Sequence, residues 1–141
     1  MADLVVRPVA PQDTRGLRRT VLRPHETLGQ VAAGEAEDVF AAGAYDGGEL
    51  IAVGLVAPDG DPGSWRVRGM ATASHARGRG AGTAILAELR RHATSQGARR
   101  IWCNARTPAI SLYERAGLRV VSDEFELPEI GPHVVMEVRL P

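Results

Sequence analysis

The stretch Arg77-Gly78-Arg79-Gly80-Ala81-Gly82 lies between a predicted strand, residues 65–72, and a predicted helix, Gly82 to about Ser95. The first residues of a helix present N–H groups without partners in the helix, together with the positive end of its dipole. Glycines let an anion approach those donors closely, and Arg77 and Arg79 add permanent positive charge. The stretch therefore predicts a loop that binds a pyrophosphate group.

Three interpretations of this loop are open. The first is a surface loop whose charges are solvated. The second is a dinucleotide site, but the pattern G-x-G-x-x-G would start at Gly78 and Gly80 and needs a glycine where Thr83 stands. It also expects an acid about twenty residues later, where the chain has Arg99 and Arg100. The third is a coenzyme A site. A Walker-type phosphate loop is excluded, because it requires a lysine and the chain has none.

The segments around the loop predict alternating strands and helices. A turn at Asp46-Gly47-Gly48 predicts a hairpin, and Pro8 is expected to stop the first strand. Strict alternation along residues 65–72 places Trp65, Val67, Gly69 and Ala71 on one face and Arg66, Arg68 and Met70 on the other. Predicted strands are residues 4–7, 39–45, 50–57, 65–72, 100–104, 118–127 and 133–140, and predicted helices are residues 11–22, 82–95 and 107–116, the last capped by Thr107.

This order indicates an α/β (α+β) fold with a mixed sheet and helices on its faces. Residues 26–37 are weakly patterned and form either a short helix or a loop. In the helix after the loop, an apolar stripe is expected to be buried. Its members are Ile85, Leu86, Leu89 and Ala93.

Length and composition place the chain in a broad class. Its 141 residues, 44% of them hydrophobic, suit one domain spanning residues 1–141. The formal net charge of +0 offers no bulk attraction to nucleic acid or to an anionic membrane. The single cysteine, Cys103, excludes an internal disulfide and predicts a buried small side chain, and no metal site is indicated. With no signal peptide and no apolar span, a cytoplasmic location is expected.

Two motifs, both in the expected order, give the chain a family resemblance. The pattern Arg/Gln-x-x-Gly-x-Gly/Ala is matched at residues 77–82, and Ala-x-x-x-Tyr-x-x-x-Gly is matched at residues 109–117. With these motifs the chain resembles the GCN5-related N-acetyltransferase (GNAT) family. The matching residues are Arg77, Gly80 and Gly82 in the first motif and Ala109, Tyr113 and Gly117 in the second.

The resemblance implies a fold and an activity. The fold is a mixed, mostly antiparallel sheet of six to seven strands with a central splay. The activity is transfer of an acetyl group from acetyl-CoA to a primary amine by direct attack in a ternary complex. The acceptor is a small-molecule or peptide amine, and sheet edges of this kind are candidates for pairing in a homodimer. The alternative is a regulatory module that binds acyl-CoA without turnover.

The resemblance also assigns residues to the cofactor. Family members often carry an asparagine three residues before the motif alanine, where this chain has Arg106, with Asn104 nearby. Arg106 either contacts the cofactor or reaches a phosphate or an acidic substrate. The expected cofactor-binding residues are Met70, Ala71, Thr72, Arg77, Gly78, Arg79, Gly80, Ala81, Gly82, Thr83, Asn104 and Arg106.

Two residues are expected to be catalytic. Tyr113 stays protonated at neutral pH and suits a proton donor to the leaving thiolate; otherwise it is a core aromatic. His133 is the candidate base, and otherwise a partly buried turn residue. His25 and Glu26 lie where the family builds its acceptor pocket, whereas His75 and His92 are expected to be exposed. The acidic residues Asp123, Glu124 and Glu126 either attract a cationic acceptor or form an exposed edge.

Overall fold

A mixed sheet forms the centre of the protein in a computed structural model that describes residues 4–141. The strands follow the spatial order β1-β2-β3-β4-β5-β8-β6, and β7 also pairs with β8. Among the strands of residues 4–141, β4 and β5 are the one parallel pair. The strands are β1 (Val5–Val9), β2 (Phe40–Asp46), β3 (Glu49–Pro58), β4 (Ser64–Thr72), β5 (Arg100–Arg106), β6 (Arg119–Val120), β7 (Phe125–Leu127) and β8 (Gly131–Arg139).

The mixed, mostly antiparallel sheet is confirmed, but it has eight strands where six to seven were expected. The difference comes from residues 118–127, which form two short strands, β6 and β7, because the chain bends at Ser122, whose hydroxyl accepts a hydrogen bond from the N–H of Val135 of β8. Pro8 does not stop β1, which continues to Val9. β1 pairs on one side only, so a residue without an N–H is tolerated there.

Helices cover both faces of the sheet. An added Cβ at Gly69 would meet Arg18 of α1, whereas one at Gly54 would meet Ile85 and Leu89 of α3. Thr27 and Gln30 form a reciprocal capping box that starts α2, in the weakly patterned stretch. The helices are α1 (Arg15–Leu22), α2 (Leu28–Ala33), α3 (Ala81–Ser95) and α4 (Ile110–Arg115), and 3-10 turns at Pro11–Thr14, Ser74–Ala76 and Thr107–Ala109 precede α1, α3 and α4.

The helix α3 supplies much of the core beneath the sheet. Its predicted apolar stripe is confirmed, since Ile85, Leu89 and Ala93 are fully buried and Leu86 nearly so. The expectation that His92 is exposed is wrong. Its ring stacks on Phe40, with centroids 3.8 Å apart, because this turn of the helix lies over the sheet. Thr107 does not cap the last helix: a 3-10 turn begins there, with Arg106 at its N-cap.

A β-bulge interrupts β4. The pair Val53↔Ala71 is followed by Leu55↔Arg68, so β4 carries one residue more than β3 across this step. Gly69 accommodates the bulge with a φ of +64°. The side chain of Met70 is thereby turned toward Gly54 and α3, and the strict alternation predicted for this strand is wrong beyond the bulge.

The predicted central splay is confirmed. Pairing between β4 and β5 is limited to residues 64–66 and 100–102. Beyond that point β4 continues to Thr72 and β5 to Arg106 without pairing to each other. The two strands therefore enclose a gap that opens toward their carboxyl ends. No helix within residues 4–141 is both long and apolar enough to cross a membrane.

Candidate active site

A glycine-rich loop joins β4 to α3 at the mouth of the gap. Gly78 and Gly80 have φ values of +81° and +79°, in the left-handed region that glycine tolerates. Gly80 is the N-cap of α3, and the first turn of the helix closes with Ala84 N–H donating to Gly80 O at 3.1 Å. The N–H groups of Ala81 to Thr83 precede that bond and have no acceptor within the helix.

The glycine-rich loop and the first residues of α3 border an open space. A Cβ added at Gly78 or Gly80 would meet no atom within 4 Å. A cavity of about 290 Å³ lies here, between the loop and α4, and Arg77 is part of its wall. Exposed amides at a helix N-terminus beside a permanent cation suit a pyrophosphate. The residues present therefore fit the diphosphate part of coenzyme A.

The second arginine of the loop has a different environment. Arg79 forms an ion pair with Asp46 at 2.6 Å, at the end of β2. Its side chain is thus directed toward the β2–β3 hairpin, and Arg79 is not part of the cavity wall. This ion pair holds the glycine-rich loop against the β2–β3 hairpin, so Arg79 stabilises the conformation of the loop.

The edge of β4 that faces the gap offers main-chain hydrogen bonds. Ala73 N–H donates to Ile51 O of β3 at 2.8 Å. Because successive residues of an extended strand point their amides to opposite sides, the N–H of Thr72 faces the gap. β5 has already diverged at this level. An extended ligand with amide groups would find unpaired backbone partners there.

Tyr113 lies on α4 beside a second, larger cavity of about 640 Å³. Only 7% of the residue is exposed. Burial raises the pKa of the phenol well above its usual range, and the charge of Arg106 opposes that rise only partly. The side chain is therefore a protonated donor at neutral pH. Cys103 is also buried, as expected, and burial raises the pKa of its thiol to about 12, which makes it a poor nucleophile.

His133 is buried near the start of β8 and borders the same large cavity. Its Nδ1 lies 2.8 Å from Gly131 O, and its ring lies 6.0 Å from that of Phe125. A carbonyl can only accept, so a neutral imidazole here donates its proton from Nδ1. The lone pair is then on Nε2, which is the arrangement a general base needs.

Asn104 and Arg106 border the larger cavity and not the smaller one, which is lined by residues 76–78 and 80–83 and the start of α4 and is called the phosphate cradle below. Arg106 Nη2 donates to Leu22 O, at the end of α1, at 3.1 Å. Both residues are predicted to contact the cofactor, with an acidic substrate as the alternative for Arg106, and the side chain of Arg106 extends toward α1. The reason is that the α1 terminus offers it a free carbonyl.

The remaining candidates are spread around this site. His25 lies between Glu26, at 3.8 Å, and Glu129, at 3.6 Å, and so joins two loops at the mouth of the larger cavity. His75 is exposed, as expected, and pairs with Glu49 at 2.9 Å. Three acidic residues, proposed above either to attract a cationic acceptor or to form an exposed edge, are exposed and do not border the larger cavity. These are Asp123, Glu124 and Glu126.

Two cavity arginines were missed by sequence reasoning. Arg18, in the predicted first helix, is 8% exposed and contacts Glu35 at 2.6 Å. Arg66 lies over the ring of Trp102, 4.9 Å from its centroid, and its Nε is buried without a hydrogen-bond partner among the described residues. The local pattern gives no sign of either burial, because Arg18 is enclosed by contacts with Glu35 and the carbonyl of Val31, and Arg66 by Trp102 of β5, all distant in the sequence.

Comparisons with known proteins agree with this geometry. The model of the family described as the acetyltransferase (GNAT) family matches residues 11–118. An uncharacterized N-acetyltransferase, YitI of Bacillus subtilis, is 31% identical over 140 residues, and the match covers 94% of each chain.

Solved structures are similar over almost the whole chain. The ribosomal-protein-S18-alanine N-acetyltransferase from Escherichia coli has a TM-score of 0.79 at 15% identity, with 97% of this chain and 94% of that chain covered. An aminoglycoside 6'-N-acetyltransferase complexed with coenzyme A has a TM-score of 0.77 at 16% identity, with 97% and 98% covered. At these identities the likeness concerns the fold.

Proposed function

This chain belongs to the acetyltransferase (GNAT) family and is an N-acetyltransferase that uses acetyl-CoA, and we propose that it acetylates a primary amine by direct attack in a ternary complex. Enzymes of this family act on small-molecule or peptide amines. That residues 1–141 form one domain, that the protein is cytoplasmic and that it pairs as a homodimer remain predictions.

The observation that supports direct attack is the meeting of the two cavities. Ala109 and Leu112 border both the phosphate cradle and the larger cavity, and Tyr113 follows them in the chain. A donor that entered from the cradle and an acceptor in the larger cavity would therefore meet beside Tyr113. Direct transfer requires this proximity of two bound reactants.

In the proposed reaction, different groups of the protein stabilise charge, accept a proton and donate a proton. Bound acetyl-CoA supplies the acetyl group as a thioester. Main-chain N–H groups on the open edge of β4, within residues 70–72, would donate to the carbonyl oxygen that gains charge. His133 Nε2 takes the proton that the amine must lose, and Tyr113 donates a proton to the departing thiolate sulfur. Proton transfers of this kind contribute about 10²–10⁴-fold each.

Calorimetric titration with acetyl-CoA and, separately, with NAD tests the donor site. We expect acetyl-CoA to bind and NAD not to bind. The substitution Arg77→Ala should weaken acetyl-CoA binding by about tenfold or more, the loss of a hydrogen bond to a charged group. The matched control is Arg119→Ala, since Arg119 is exposed and lies outside both cavities. No binding of acetyl-CoA would refute the proposed site.

A further inference from the structure

The walls of the larger cavity carry an excess of positive charge. Five arginines border it, against three carboxylates. The carboxylates are Glu26, Glu35 and Asp59, and the arginines are Arg18, Arg23, Arg66, Arg68 and Arg106. A cationic acceptor such as a polyamine would be repelled by this balance, and an anionic one attracted.

Most of the cations have carboxylate partners. Glu35 accepts hydrogen bonds from both Arg15 and Arg18, at 2.9 and 2.6 Å. Asp59 lies 3.5 Å from Arg66 and 3.3 Å from Arg68, so one carboxylate serves two guanidinium groups.

Arg106 is the exception. Among residues 4–141 its contact is the carbonyl of Leu22, and no carboxylate of the described chain forms an ion pair with it. Arg23, which lies 3.4 Å from Glu26, follows Leu22 directly and adds a second cation. Burial and the charge of Arg23 both lower the pKa of Arg106. A half-buried cation beside another cation is costly unless an anion joins them.

The position of Arg106 relates this charge to the reaction. In the pairing of β5 with β8, Arg106 is directly opposite His133. Its charge also acts on Tyr113. An anion held by Arg106 would therefore bring an amine on the same small molecule close to the proposed base.

We propose that the acceptor of this enzyme is a small amine that also carries an anionic group, bound by Arg106 with Arg23 beside it. This inference rests on the proposed acetyl transfer and adds the class of acceptor. The anionic group is a carboxylate or a phosphate, since both accept hydrogen bonds from a guanidinium.

The test is acetylation kinetics with four sets of amines: α-amino acids, the matching α-amino amides, phosphoethanolamine, and a diamine. We expect an anionic amine to exceed its neutral or cationic counterparts in kcat/KM by about tenfold to a hundredfold. The faster of the α-amino acids and phosphoethanolamine identifies the anion. Equal or faster turnover of amides or the diamine, or no turnover of any anionic amine while acetyl-CoA binds, would overturn the proposal.

The variant Arg106→Gln assigns the effect to one residue. The preference for the anionic amine should fall toward one, while the Kd of acetyl-CoA stays within about twofold. The control Arg68→Gln removes a cation from the same cavity that is already paired with Asp59, and should keep most of the preference. A loss of acetyl-CoA affinity in Arg106→Gln would place Arg106 at the donor and overturn the inference. Failure of the wild type to bind acetyl-CoA would instead refute the proposed function.

Discussion

At the scale of single residues, the burial of Tyr113 governs the proposed chemistry, because it keeps the phenol protonated beside the two cavities. We expect Tyr113→Phe to lower kcat by about 10²–10⁴-fold, the usual contribution of a positioned proton donor. The Kd of acetyl-CoA should change little, since the ring is retained. Turnover and calorimetry on the same preparation separate the two effects. An unchanged kcat at every pH would remove Tyr113 from the mechanism.

The raised pKa of Tyr113 can be measured directly. The chain has two tyrosines, so Tyr45→Phe leaves Tyr113 as the only one. A raised pKa means that the neutral form persists to higher pH than in an exposed phenol, whose pKa is about 10. We expect the ultraviolet absorbance of tyrosinate to stay low in the folded variant at that pH and to appear only on unfolding. Half ionisation near the ordinary pKa would contradict the burial argument.

The motif residues could be predicted from their spacing in the sequence, but the residues that contact their side chains could not. Arg77 and Gly80, identified from the motif, border the smaller cavity, and Gly80 is the N-cap of α3. The contact of Arg79 with Asp46 joins residues 33 positions apart, and the burial of Arg18 depends on how α1 packs on β4. Side-chain direction follows from tertiary packing, which motif spacing does not encode.

At the scale of elements, α3 packs closely on the sheet at Gly54. A Cβ there would lie 2.5 Å from Met70 Sδ and 2.7 Å from Ile85 Cγ2. We expect Gly54→Ala to lower the free energy of unfolding by about 1–3 kcal/mol, because overpacking forces neighbours to shift. Urea denaturation gives the value.

A matched alanine substitution checks that this loss comes from crowding. Gly16 is an exposed glycine in α1, and an added Cβ there would meet nothing within 4 Å. Gly16→Ala should therefore raise the free energy of unfolding by about 0.5–1 kcal/mol, through the helix preference for alanine. No loss of stability in Gly54→Ala would show that α3 is not packed against β3 as described.

Most helices and strands could be predicted from hydrophobic periodicity and turn residues. Irregularities within them, such as β-bulges, could not. The apolar stripe of α3 and the hairpin at Gly47-Gly48 both follow from local sequence. The bulge at Gly69 does not, because it depends on the register of β4 against β3. Residues 26–37 predict either a short helix or a loop because their apolar pattern is weak, and the helix that forms there, α2, buries one residue, Val31.

At the scale of the whole molecule, Glu137 of β8 links three strands of the sheet, β5, β6 and β8, through its contacts with arginines. It accepts a hydrogen bond from Arg100 of β5 at 2.7 Å and one from Arg139 at 3.3 Å, and Arg119 of β6 lies 3.8 Å away. The hydrogen bond from Arg100 is the largest cause of a lowered pKa at Glu137. A lowered folded-state pKa stabilises the fold at neutral pH, and that contribution is lost as pH falls through the folded value.

The substitution Glu137→Gln should therefore reduce stability at neutral pH. The difference from the wild type should shrink as the pH falls below about 4, where the carboxylate of the wild type becomes protonated. Urea unfolding at several pH values measures this. Glu124→Gln, at an exposed position, serves as the control. A difference that does not depend on pH would mean that the charge of Glu137 contributes nothing.

The splay between β4 and β5 has a consequence for how such an enzyme can evolve. In the proposed mechanism acetyl-CoA contacts mainly main-chain groups, such as Thr72 N–H and the amides at the start of α3. Point mutations exchange side chains and leave these groups in place. The proposed acceptor cavity is lined by side chains such as Arg106, so single substitutions can change which amine it binds. As substitutions accumulate, we therefore expect the specificity for the amine to change well before the specificity for the acyl donor.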